Sequence, residues 1–442
     1  MAVGNIERVL IELRPRLQSA NFFICFSRRF AEIKSTKIDL SSDRIIIITE
    51  NNAERYEIRL DDYFKLHIQT LSSLLIKNSY ICFRLNTNEN KFHSEVLEIN
   101  EYNGCTDLKK LECNLEADCS YFIICSNCGS YLRDEAVNFK RILELPSDHM
   151  DSNDWYCHQH PYTTVDDFVH TNGECSSTKL PQANSFNPTE SDVFFGPFYV
   201  LLDKKHLQRV HLKAERFLYC RRCLQYLGIM KRTGCVKLWY ENLQFQKQAD
   251  VSDETQPTRL CFFRNDNPLE NFQYLVRKTV NDYNFISHLG LPPIFKLLFE
   301  MRQPGLNGEV FYLLIQIMDA NLNVFKIRKC VDQDSGKQYV DNDDEARDKD
   351  SDDEDNGLTV TKRIHRDINL ERHRTMKLMY RYEKYDQQPI VNFWQQDSNV
   401  VCVEISEQMF RLAVRYLDNN SNYVPECYRH NLGFILSYLD IT

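Results

Sequence analysis

Cys125-Ser126-Asn127-Cys128-Gly129 and Cys220-Arg221-Arg222-Cys223 are the two stretches on which the architecture turns. A C-x-x-C turn aims both thiolates at one point and leaves backbone N–H groups free to bond the sulfurs. Two such turns complete a tetrahedral four-thiolate site for structural zinc. Between Cys128 and Cys220 lie 91 residues, against about 15–20 in common zinc ribbons. A Zn2+ held by Cys125, Cys128, Cys220 and Cys223 would therefore clamp two distant segments and close a long loop. Gly129 suits the first turn, and Gly228 is the candidate for the second. The competing reading is two unrelated pairs, one of them redox-active. No βαβ pattern flanks either pair, which weakens a thioredoxin-like interpretation.

Between the pairs sits Asp154-Trp155-Tyr156-Cys157-His158-Gln159-His160-Pro161. Three readings of Cys157 stand. It can be a nucleophile, its thiolate favoured by His158 or His160. It can be a metal ligand, with His158, His160 or Cys175. Or it can be an inert thiol beside two core aromatics. Cys113 and Cys119 are weaker ligand candidates. Cys402, in Val400-Val401-Cys402-Val403, alternates like a buried strand residue. Cys427 follows Pro425 with no pattern assigning it chemistry. A Gly-rich phosphate loop, a GxSxG elbow and an HExxH helix are all absent from the sequence.

The whole chain has 442 residues, 43% hydrophobic and 26% charged, with sixteen cysteines. That composition excludes a chain disordered throughout and allows two to four domains. No apolar run approaches the ~18 residues of a membrane span. The first twenty residues show no signal peptide, so the expectation is an intracellular protein, cytoplasmic and nuclear, without a membrane partner. In a reducing compartment the cysteines read as thiols or metal ligands. The formal charge of −9 equals that of Val331–Gly357 alone, where twelve acids face three bases. Few apolar residues there offset the cost of ordering, so the segment reads as a disordered acidic loop. Lys362–Lys384 carries eight Lys/Arg and three acids. It reads as a helix through Asp367–Tyr382 with a basic solvent face, and an acidic chain argues against a dedicated nucleic-acid binder.

The fold class expected is α+β, with the clamp joining a β-rich N-terminal half to an α+β C-terminal half. Residues 1–124 form a β-rich domain, its strands read from Phe22–Phe26, Arg44–Thr49, Tyr56–Leu60 and Tyr80–Leu85. Residues 125–259 form the zinc-binding centre, interrupted by a polar loop at 161–192. Residues 260–442 mix helices (Asn267–His288, Ser406–Leu417) with a hairpin of Val310–Met318 and Leu322–Arg328, plus the acidic loop at 331–357.

Taken together, Leu17–Ala20, Cys125-x-x-Cys128-Gly129, Trp155-Tyr156-Cys157-His158, Asp192–Gly196, Cys220-x-x-Cys223 with Gly228, and Tyr423–Phe434 resemble one family. It is the HECT-like family of ubiquitin ligases that bind ubiquitin-conjugating enzymes. The resemblance implies a transferase that accepts ubiquitin from a conjugating enzyme as a cysteine thioester and passes it to substrate lysines. The family's proposed active cysteine maps onto Cys157, with His158 as base or thiolate partner. Relatives are also associated with pre-mRNA 3′-end processing and its endonuclease. That association implies, as the alternative, a non-catalytic zinc-stabilised binding or assembly factor.

Overall fold

In Arg44–Thr49 the side chains of Ile45, Ile47 and Thr49 are buried while Ile46 and Ile48 are half-buried. That period of two marks a strand packed hardest on one face, and it recurs through most of the chain. The computed structural model describes residues 6–14, 17–29, 36–49, 54–60, 62–88, 112–145, 187–231, 234–248, 258–286, 295–302, 309–327, 364–384, 389–397 and 399–441. Cys157, His158 and His160, most of the 161–192 loop, and the acidic loop 331–357 lie outside the described residues.

Among the described residues four sheets account for the strands. The largest runs in the order β24 (His430–Asn431), β25 (Phe434–Asp440), β22 (Leu370–Lys384), β20 (Val310–Ile327), β1 (Ile6–Arg14), β2 (Ser19–Phe26), β7 (Tyr80–Asn88) and β6 (Lys65–Lys77). β19 (Phe295–Arg302) also pairs with β20, and β23 (Val400–Glu404) lies parallel to β19. A four-stranded sheet of β21 (Ile364–Ile368), β5 (Glu54–Arg59), β4 (Arg44–Thr49) and β3 (Thr36–Leu40) covers the β1–β2–β7 end. Between them is a core of Phe22, Ile24, Ile45, Ile47, Tyr56, Ile58 and Phe83.

The central region supplies the other two sheets. Seven strands run β10 (Arg141–Glu144), β11 (Asp192–Gly196), β12 (Tyr199–Asp203), β16 (Cys235–Trp239), β15 (Tyr226–Met230), β14 (Phe217–Cys220) and β13 (Val210–Lys213). Four run β18 (Arg259–Leu260), β17 (Leu243–Lys247), β8 (Cys119–Cys125) and β9 (Val137–Phe139). A second core joins both to β19, β20 and β22. Among the described residues helices are few: α1 (Pro268–Ile286), α2 (Pro389–Gln396), α3 (Glu407–Ser421) and the single turn α4 (Glu426–Arg429). Ser406 caps α3 by accepting a hydrogen bond from Met409 N at 3.1 Å. The fold is thus α+β with strands dominant. Among the described residues no helix is long and apolar enough to cross a membrane.

Three expectations are corrected. Asp367–Tyr382 is strand, not helix. Met376, Leu378 and Tyr380 enter the central core while Lys377, Met379 and Arg381 take the opposite face. Its cations serve cross-strand neighbours, as in Lys377 to Glu12 at 2.8 Å and Lys384 to Glu309 at 3.0 Å. Val310–Met318 and Leu322–Arg328 do not fold back on each other. Val310–Met318 and Leu322–Ile327 are two parts of β20, with irregularities around Asp319, and both pair with β22 from Phe311↔Lys384 to Ile327↔Leu370; Arg328 lies outside the described residues. Cys402 is exposed rather than core. Alternation along β23 turns Val401 into the central core and Cys402 to the opposite face, where Val400 is covered but Cys402 is not.

Candidate metal centre

β8 and β14 each end on the first cysteine of a pair, so the two C-x-x-C turns begin where two sheets stop. The turns are built alike. Gly129 N donates to Cys125 O at 2.9 Å, and Leu224 N donates to Cys220 O at 2.9 Å. Cys125 N donates to Ser130 O, and Cys220 N to Gln225 O, at 2.9 and 2.8 Å. Each turn closes through a left-handed residue four positions after its first cysteine, Gly129 at φ +67 and Leu224 at φ +58. The second turn therefore uses a leucine, which sequence does not advertise. Gly228, expected in that role, lies within β15, where a Cβ would sit 2.0 Å from the Lys237 carbonyl oxygen. Its missing side chain admits β16 instead.

The four sulfurs converge. Cys125 Sγ is 3.7 Å from Cys223 Sγ, and Cys128 Sγ is 3.6 Å from Cys220 Sγ. All four lie within 4.8 Å of one another. Disulfides would need about 2.05 Å. A tetrahedral ion with bonds of about 2.3 Å would hold its sulfurs about 3.8 Å apart, so the donor set fits a thiolate-bound metal. Cys125 and Cys220 are sealed in the central core, while Cys128 and Cys223 are half-buried. Ser130 Oγ approaches Cys128 Sγ at 3.1 Å and Cys220 Sγ at 3.4 Å, the outer contact expected around a thiolate centre.

Protons divide unevenly among these thiols. Burial pushes Cys125 up to about 12. At Cys128 burial, which raises a thiol, is outweighed by hydrogen bonds with Ser130, Cys223 and Cys220, and the thiol is held down at about 6. The rim is cationic. A cleft of about 460 Å³ is lined by Gly129, Ser130, Tyr131, Arg209, Arg221 and Arg222. A Cβ on Gly129 would stand 2.9 Å from the Arg259 guanidinium. Four thiolates around a divalent ion would carry a net charge of −2, and Arg221 and Arg222 sit within the second turn itself.

Both turns are anchored to the stretch before β17. Ser126 donates from its backbone to Asn242 O at 3.0 Å and from its hydroxyl to Glu241 O at 2.8 Å. Gln225 Nε2 reaches Asn242 Oδ1 at 3.4 Å. Glu241 in turn accepts a short hydrogen bond from Ser406, the α3 cap, so the centre connects to the C-terminal helix. Sequence reading missed Glu241, because its neighbours come from three separate parts of the chain.

Cys113 and Cys119 stay outside the cluster, Cys113 bonding Leu115 N and Cys119 bonding Glu116. Among the described residues a second group with metal-ligand atoms close together is Glu57, His365 and Asp367. Its buried Glu57 already faces Arg44 at 3.3 Å, Arg59 at 3.2 Å and Arg55 at 3.8 Å. A cation entering there would meet three guanidinium groups, so this is an ion-pair network tying β5 to β21.

Compared with known proteins, residues 12–435 match the model of a family described as HECT-like ubiquitin-conjugating enzyme (E2)-binding. No curated protein and no solved structure matches the chain.

Proposed function

The chain belongs to the HECT-like E2-binding family, and on that premise we propose that it is a ubiquitin-protein ligase built on a zinc-stapled β scaffold. Family membership over nearly the whole chain is the observation that carries this reading, and it supports a ubiquitin-conjugating enzyme as the partner. Zinc is the ion proposed for Cys125, Cys128, Cys220 and Cys223, because four soft sulfurs at tetrahedral spacing suit it best. When bound it supplies structure: it locks the end of β8 to the end of β14.

The proposed acceptor is Cys157, with His158 as its base. The thiolate attacks the carbonyl of the conjugating enzyme's ubiquitin thioester. The new S–C bond forms as the old one breaks, and the conjugating enzyme's cysteine leaves as a thiolate. His158 holds the proton taken from Cys157. A substrate lysine's neutral amine then attacks the second thioester: the isopeptide C–N bond forms, the bond from carbonyl carbon to Cys157 Sγ breaks, and the amine's proton passes to the leaving Cys157 thiolate.

Two measurements on Cys125→Ser and Cys157→Ser test the proposal. Elemental analysis is expected to find one zinc per wild-type chain, loss in Cys125→Ser and retention in Cys157→Ser. A charged conjugating enzyme is then expected to leave a reducible ubiquitin adduct on wild type and none on Cys157→Ser. A metal-free wild type would sink the staple. Zinc loss in Cys157→Ser would make Cys157 a ligand and turn the protein into a binding or assembly factor, of the kind that could serve a 3′-end-processing endonuclease.

A further inference from the structure

β6 closes one end of the ten-stranded sheet, and among the described residues it pairs only with β7. Edge strands are normally blunted or covered, because their free N–H and C=O groups accept any passing strand. β6 carries two irregularities against β7, between His67 and Ser72 and between Ser72 and Leu75, yet its edge is still rich in exposed aliphatic residues. Leu74 and Ile76 are 55% and 57% exposed, and Ile68 and Leu71 are also open. An exposed apolar strip on a strand paired along one edge only marks an interaction surface.

Where β6 ends, the character changes from apolar to cationic. A cleft of about 730 Å³ lies between the β6–β7 turn and α4, and its charged lining is Arg29, Lys77, Arg429, His430 and Glu426. Arg29, Lys77 and His430 are exposed. Arg429 is held in place by the Val424 carbonyl, at 2.9 and 3.2 Å. One acid among four basic side chains leaves the cleft positive. A second copy of the chain is a poor occupant. β6, Lys-Leu-His-Ile-Gln-Thr-Leu-Ser-Ser-Leu-Leu-Ile-Lys, contains no acid, and antiparallel self-pairing centred on Leu71 sets Lys65 against Lys77.

We propose that β6 is a docking edge for an extended segment of a partner protein, with alternating aliphatic residues along β6 and an acidic cluster seated among Arg29, Lys77, Arg429 and His430. Backbone hydrogen bonds supply adhesion, Leu74 and Ile76 select the aliphatic residues, and the cleft fixes the register by charge. This surface is separate from the four-cysteine centre, and the inference does not rest on the transferase reading.

The test is selection of short random peptides displayed on phage against the full chain. Recovered peptides are then synthesised with a fluorophore and titrated by anisotropy. They are expected to alternate aliphatic residues and to carry clustered Asp or Glu at one end. Arg29→Glu with Lys77→Glu is expected to weaken them at least tenfold, and Leu74→Ser with Ile76→Ser by a similar factor. Methylation of alternate peptide nitrogens is expected to abolish binding. All four substitutions are at exposed positions, and circular dichroism checks that each variant folds. Peptides without acid enrichment, or peptides indifferent to both double variants, overturn the proposal. So does a concentration-dependent dimer that Leu74→Ser with Ile76→Ser disperses, since the occupant would then be a second copy.

Discussion

Glu12 is 1% exposed, yet it is surrounded by groups that favour its charge. Lys377 Nζ contacts both its oxygens, at 2.8 and 3.0 Å, and the Tyr438 hydroxyl donates at 2.7 Å. Burial alone would raise its pKa, but Lys377, Arg14 and Tyr438 together hold it below the usual carboxylate range. The stabilisation is therefore present at neutral pH and is lost as pH falls through the carboxylate range. Glu12→Gln strands Lys377 and should cost about 3 kcal/mol, whereas replacing both by aliphatic residues should restore most of it. Urea titration of the two variants separates these outcomes. Glu241 behaves in the opposite way. Burial lifts it to about 7 despite the hydrogen bond from Ser406. The folded state then binds a proton that the unfolded chain releases near pH 4.5, so stability should fall as pH rises from about 4.5 to 7 and level off above. Glu241→Gln should flatten that slope, read from urea midpoints at pH 5 and pH 8. Neither acid stood out in the sequence, because what shifts each is set by the tertiary fold: Lys377 and Tyr438, hundreds of residues away, lower Glu12, and burial raises Glu241.

At the scale of elements, the four cysteines were legible because a C-x-x-C turn is local: its geometry is set within five residues. The matching left-handed position at Leu224 was not, since only glycine announces such a conformation. β22 shows a different failure. Ile368, Arg372, Met376 and Met379 fall at helical spacing, but Met376, Leu378 and Tyr380 fall equally well at strand spacing. The tie is broken by β20 and β25 on either side, which no local pattern contains. The split of β20 into a hairpin arose similarly, since only the long partner β22 shows that both halves belong to one strand. Gly228 carries the element-scale prediction. With the Lys237 carbonyl 2.0 Å from where a Cβ would stand, Gly228→Ala must push β15 from β16. It should cost about 3 kcal/mol or more, visible as a drop in thermal midpoint.

Over the whole molecule, the short β-branched runs made the β-rich character readable, but not which strands meet. β20 and β22 pass from one core to the other: Phe325 and Leu370 pack among the N-terminal strands, and Leu313, Ile315, Leu378 and Tyr380 pack in the central core. Leu10 pairs with Lys326 across this ribbon, a partnership spanning most of the chain. That arrangement constrains biosynthesis. At about 5–20 residues per second, a ribosome that has released β1 needs roughly 15–60 s more to deliver β20. Throughout that interval the nascent N-terminal strands lack both Phe325 and Leu370, and β1 presents a bare edge. A chain stopped at Ile286 should therefore leave residues 6–88 open to rapid proteolysis, where the full chain protects them. Cells making this protein must shelter the first strands until the last third of the chain arrives to complete their sheet.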